Sequence, residues 1–128
     1  MYLKRQNIDE RDQEVPRVWR AAIYLCEPGA KNAGGRNSEP PIVRQRMLCR
    51  RAAAWLRVEV VGEFVDTQPY VSLRPGLHQA LELAQKRRLD YLIVSSLDRL
   101  ASNEDEAFEV AWCLGHAGTV PVPAYEDD

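Results

Sequence analysis

Four short apolar runs alternate along the chain with segments whose apolar positions recur every three or four residues. The first run, VWRAAIYL at 18–25, is mostly apolar with β-branched and aromatic members, as suits a strand buried on both faces. VEVVGEFVD at 58–66 and DYLIVS at 90–95 are further strands. TVPVPAY at 119–125 is a last short one, and its Pro121 and Pro123 lack amide donors and so assign it to a sheet edge. Between the runs lie three helical patterns. IVRQRMLCRRAAAWLR at 42–57 puts Val43, Met47 and Ala54 on one stripe and Leu48, Ala52 and Trp55 on the neighbouring one. RPGLHQALELAQKRR at 74–88 starts a helix at Pro75, with Leu77, Ala80, Leu81 and Ala84 on the core face and Lys86, Arg87 and Arg88 at the negative end of the dipole. SNEDEAFEVAWCLG at 102–115 has capping-box spacing at Ser102 and Asp105, a buried stripe of Ala107, Val110, Ala111 and Leu114, and Gly115 as its stop.

The order β-α-β-α-β-α-β predicts an α/β fold of three layers, α/β/α, around a mainly parallel sheet of about four strands in the order 2-1-3-4. Residues 1–17 are polar and are read as a flexible arm, with one domain over 18–128. Residues 31–41, KNAGGRNSEPP, form a loop. Ligands of such sheets bind beyond the carboxyl ends of the strands, here Cys26–Pro28, Asp66–Gln68 and Ser95–Arg99.

Composition narrows the function. A length of 128 residues with 45% hydrophobic and 28% charged residues fits one soluble domain. The net charge of −2 argues against a free-standing nucleic-acid binder. The charge is uneven, however: residues 36–57 hold six arginines and one acid, and residues 104–109 hold four acids and no base. Cys26, Cys49 and Cys113 are far apart and His78 and His116 are isolated, so free thiols in a reducing cytoplasm are expected, with no metal and no cofactor. The charged start MYLKRQNIDERDQE is no signal peptide, and no apolar run approaches the roughly 18 residues of a membrane span. The spacing Gly29-x4-Gly34 lacks the Lys-Ser/Thr pair of a phosphate-binding loop.

Asp98 and Arg99 are adjacent charges at a strand end, which suit either a phosphate contact or a capped strand-helix turn. With IYL, RQRMLCRRAAAW, VVGEFVD, LRPGLHQAL and LDYLIVSSLDRLA in that order, the chain from about Trp19 to Tyr125 resembles the catalytic domain of the serine recombinases, the resolvase/invertase group. The resemblance implies a resolvase-like fold and a chemistry in which a serine hydroxyl attacks a DNA phosphodiester. A covalent phosphoserine forms while arginines stabilise the charge on the phosphoryl oxygens. By the same resemblance, Tyr24 matches the tyrosine of the first motif, Cys26 stands in the place of its arginine, and Pro28 stands in the place of the nucleophilic serine. Gln45, Asp66, Arg74, Asp98 and Arg99 match site residues, and Ser102 replaces a further arginine.

These replacements lead to the expectation of a catalytically inactive domain serving as a regulatory or protein-interaction module. The alternatives are a component of site-specific recombination working with an active partner, and a repurposed enzyme or anion binder using Arg74 and Arg99. Ser38 is the serious candidate for a substitute nucleophile. Ser95 and Ser96 are weaker ones, and Cys26 reads as a buried thiol. Glu27, Glu104, Asp105 and Glu106 around the site would repel a DNA phosphate, so DNA binding is expected to be weak or absent on its own. Family members continue into a long dimer-forming helix and a DNA-binding module, whereas this sequence stops at Asp128. A monomer is therefore expected, or self-association through Val110, Trp112 and Leu114 or the proline-bearing strand, with a protein partner and no membrane.

Overall fold

The computed structural model describes residues 18–27, 40–67, 74–101 and 103–124. The proposed arm at 1–17, Pro28, Ser38 and Ser102 lie outside the described residues, as does most of the loop at 31–41. The elements are β1 (Arg20–Cys26), α1 (Ile42–Leu56), β2 (Glu59–Asp66), α2 (Pro75–Lys86), β3 (Tyr91–Val94), a short 3-10 turn (Leu97–Leu100), α3 (Glu104–Ala117) and β4 (Val120–Pro123). All three strand pairs are parallel and the sheet order is β2-β1-β3-β4, as the alternating pattern predicts.

Strand alternation divides the core in two. Ala22, Tyr24 and Cys26 of β1, with Leu92 and Val94 of β3, face α2 and α3 and meet Leu77, Ala80, Ala84, Val110 and Leu114. Ala21, Ile23 and Leu25, with Ile93, face α1 and meet Leu48, Cys49 and Ala53. At one edge, β4 turns the amides of Val120 and Ala124 onto β3, at 2.9 Å from the Asp90 carbonyl and 2.7 Å from the Val94 carbonyl. Strand alternation then aims the positions of Pro121 and Pro123 at the open side, where their missing N–H groups remove the donors that another strand would need.

Two helical faces differ from the pattern-based expectation. On α1, Val43, Met47 and Trp55 face solvent, and the core takes Gln45, Leu48, Cys49 and Ala53. Two apolar stripes flank one another on this helix, and a single helix lying over a sheet can bury only one arc. The arc chosen carries Ala53 and Cys49, whose small side chains let the helix approach. On α3, Val110 and Leu114 are buried while Ala107 and Ala111 are exposed. The cap of α3 is Asn103, whose side chain accepts the Glu106 amide at 2.8 Å. The helix also runs through Gly115 and stops at Gly118, which takes the left-handed conformation with φ 73°. A helix can cross an isolated glycine at a modest cost, and only Gly118 meets the left-handed requirement.

The outward side of α1 is tied to the edge strand. Glu63 of β2 accepts from Arg46 at 2.9 Å and from Arg50 at 2.7 Å. Partial burial opposes its charge, but the two arginines outweigh it and hold the carboxyl below its ordinary range.

The burial pattern sets an expected contrast. Leu25→Ala, at a fully buried position near the carboxyl end of β1, should lower unfolding free energy by about 2–5 kcal/mol. Val43→Ala on the exposed stripe of α1 should change it by no more than about 0.5 kcal/mol. Urea denaturation of the two variants measures both.

Candidate functional site

At the carboxyl ends of β1 and β2 the chain gathers a polar cluster. Asp66, the last residue of β2, is buried and accepts three hydrogen bonds. They come from the Tyr24 hydroxyl at 2.7 Å, the Gly76 amide at 2.7 Å and the Leu77 amide at 2.9 Å. The two amides belong to the first turn of α2, so the carboxylate caps that helix and meets the positive end of its dipole. The Arg-Pro-Gly-Leu segment serves this contact residue by residue. Pro75 enters the first turn with a fixed φ, and Leu77 drops into the core. Gly76 permits the close approach, because a Cβ there would lie 2.9 Å from both Asp66 Oδ1 and the Val65 carbonyl. Burial, reinforced by the bond to Asp66, pushes the Tyr24 hydroxyl well above the usual phenol range and so keeps it a donor.

Arg74 sits just ahead of α2 and is 4% exposed. Its Nη1 donates to the Arg99 carbonyl at 2.7 Å and its Nη2 to Glu106 Oε1 at 3.0 Å. Its Nε has no hydrogen-bond partner among the described residues. Burial opposes the charge, yet the groups around it, the Glu106 carboxylate at 3.0 Å among them, prevail and hold the guanidinium above its ordinary pKa. The arginine therefore ties the start of α2 to the 3-10 turn and to the first turn of α3, with a carboxylate already beside it.

Gln45 reaches the same region from the other face of the sheet. Its Oε1 accepts the Cys26 amide at 3.1 Å, and its Nε2 donates to the carbonyls of Cys26 and Pro40 at 2.7 and 2.8 Å. The buried amide is thus engaged with the backbone and fixes the exit of β1 against the start of α1. Cys26 is 1% exposed and its thiol meets the Glu27 carbonyl at 3.7 Å, which agrees with a buried thiol. Cys49 is also buried, and burial together with the charge of Glu63 pushes its thiol up to about 12.

Of the residues singled out in the sequence, Tyr24, Cys26, Asp66 and Arg74 come together, with Gln45 behind them and the backbone of Arg99 above. Asp98 is exposed on the 3-10 turn, where its amide bonds the Ser96 hydroxyl at 3.3 Å. Pro28 and Ser102 lie outside the described residues. Two contributors escape the sequence reading. Gly76 is visible there only as part of a motif, and its steric role needs the position of Asp66. Glu106 is visible there only as one of several repelling acids. It alone of the acids at 104–106 is half-buried, because the cap at Asn103 rotates it inward while Glu104 and Asp105 stay exposed. Ser95 is buried, with no partner for its hydroxyl among the described residues. Among the described residues no group of three His, Cys, Asp or Glu side chains could hold a metal ion, and no helix is long and apolar enough to cross a membrane.

The Asp66 cluster predicts two graded losses. Tyr24→Phe removes one of three bonds to a buried carboxylate and should cost about 1–3 kcal/mol. Gly76→Ala drives a methyl against backbone and carboxylate oxygens and should cost about as much, by the strain of overpacking. Both are read from denaturant midpoints, and a neutral Gly76→Ala would refute the packing described.

The comparisons with known proteins agree with this architecture. No curated protein sequence matches the chain. Among solved structures, the C-terminal catalytic domain of ISC1926 TnpA, an IS607-like serine recombinase, is 20% identical with a TM-score of 0.64, over 85% of this chain and 69% of that one. A resolvase family site-specific recombinase from Streptococcus pneumoniae is 15% identical with a TM-score of 0.65, over 83% and 72%. The N-terminal catalytic domain of TP901-1 integrase is 18% identical with a TM-score of 0.65, over 82% and 76%. At such identities these structures establish the fold. The model of the resolvase N-terminal domain matches residues 36–120, which is most of the sequence, and the chain belongs to that family.

Proposed function

We propose that this is a serine-recombinase-type domain that has left strand cleavage and works through contacts with protein. The observation that carries the reading is the state of Arg74. The arginine matching the family's Arg-Pro-Gly-Leu motif is buried and already bonded to Glu106 and to the Arg99 carbonyl. A guanidinium so enclosed and already paired with a carboxylate has little attraction left for a phosphoryl group. The residue types support the same reading. Pro28, in the serine's place by resemblance, has no hydroxyl, and Cys26 and Ser102 take the places of two arginines. Loss of a single preorganised donor to a transition state costs on the order of 10²–10³ in rate, and loss of the nucleophile closes the covalent route. Asp66 and Gln45, which match the family's site residues, retain structural work that explains their presence without catalysis.

Membership of the resolvase family favours one second reading, in which the domain enters a recombination assembly beside an active partner. Anion binding through Arg74 and Arg99 is the weaker alternative, since the Glu106 carboxylate lies at the same guanidinium.

The reading predicts no covalent intermediate. Incubation with supercoiled recombination-site DNA followed by denaturing electrophoresis should give neither cleaved DNA nor a protein–DNA adduct. An adduct abolished by Ser38→Ala would place a substitute nucleophile at Ser38 and overturn the proposal.

A further inference from the structure

Helices α1 and α3 present opposite chemistry to solvent. On α1, Val43, Met47 and Trp55 are 76%, 48% and 86% exposed. Residues 42–57 contain five arginines and no acid; Arg46 and Arg50 are paired with Glu63 of β2, while Arg51 and Arg57 are exposed beside the apolar side chains. On α3, Phe108 and Trp112 are 74% and 55% exposed. Positions four apart share a helix face, so the two rings lie together, flanked by the exposed acids Glu104, Asp105 and Glu109. Trp112 stacks on His116 with ring centroids 3.9 Å apart, which widens the aromatic surface.

We propose that α1 of one copy docks on α3 of a second copy, head to tail. The inference deepens the reading of the domain as an interaction module by naming its partner, and its failure would leave the DNA-cleavage experiment untouched.

Charge selects this pairing among the possible self-contacts. Pairing α1 with α1 would set arginines against arginines, and pairing α3 with α3 would set acids against acids. Only the mixed contact places arginines beside carboxylates while covering Val43, Met47 and Trp55 with Phe108 and Trp112. Arginine over an exposed indole adds a further cation–π attraction. The two faces cannot satisfy each other within one molecule, because α1 covers one side of the sheet and α3 the other. A contact between different patches is heterologous, so it closes into a ring or grows as a chain. At the β4 edge, Pro121 and Pro123 discourage the competing route of strand addition.

Two single variants at exposed positions test the proposal without touching the core. Trp55→Asp blocks the α1 face and Trp112→Asp blocks the α3 face, and circular dichroism should show both folded. In sedimentation velocity at low salt, the native protein should grow heavier with concentration, and each variant alone should remain monomeric. An equal mixture should form a complex of one copy of each and no larger. One native contact can form in it, and the remaining ends would set the carboxylate introduced in one variant against the carboxylate introduced in the other. Raising the salt should weaken the native association. A native protein monomeric at every concentration would overturn the proposal. So would variants that associate like the native chain, or a mixture that stays monomeric.

Discussion

The carboxylate of Asp66 holds the functional end of the molecule together. Its three bonds join the inner strand β1 through Tyr24 and the first turn of α2 through Gly76 and Leu77 to its own edge strand. A buried acid without such partners would be costly, so the surrounding chain is shaped to supply them. That requirement makes residue 76 a glycine and places the helix start where a proline is tolerated. It also delivers Arg74, two residues earlier, into the gap beside α3. The pairing of Arg74 with Glu106 is a consequence of where Asp66 stations the helix. Breaking one of a buried pair leaves the other uncompensated, so these positions are constrained by folding as well as by any chemistry.

Such a brace explains how a domain could keep part of a catalytic motif while its reactive positions change. On the proposed reading, Pro28, Cys26 and Ser102 stand by resemblance in the places of residue types that act on phosphate. Asp66, Tyr24, Gln45, Gly76 and Arg74 each make buried bonds or close contacts.

The sheet was legible because its strands alternate with helices, and because prolines at 121 and 123 fit only an edge. The site was legible as a set of motifs at strand ends. The faces of α1 and α3 were legible in part, since Leu48, Val110 and Leu114 are buried as the pattern predicts, and the rest was not, for a physical reason. Val43 and Met47 have the spacing of a core stripe, but Leu48, Cys49 and Ala53 compete for the same burial and pack closer to the sheet. On α3 the cap falls at Asn103, and this sets which acid turns inward. The direction of Glu106 depends on that rotation and on the buried arginine facing it, neither of which a one-dimensional pattern contains.

On the proposed reading, Arg74 is a structural cation, closed off by Glu106, and not a seat for phosphate. The most direct measurement is nuclear magnetic resonance of the Arg74 side-chain Nε–H during titration with inorganic phosphate, with the Gly76 amide as a second probe of the same helix start. A structural Arg74 should give an Nε–H signal whose position, like that of the Gly76 amide, does not respond to phosphate beyond a matched salt control. A saturable shift of both signals at low millimolar phosphate would contradict it.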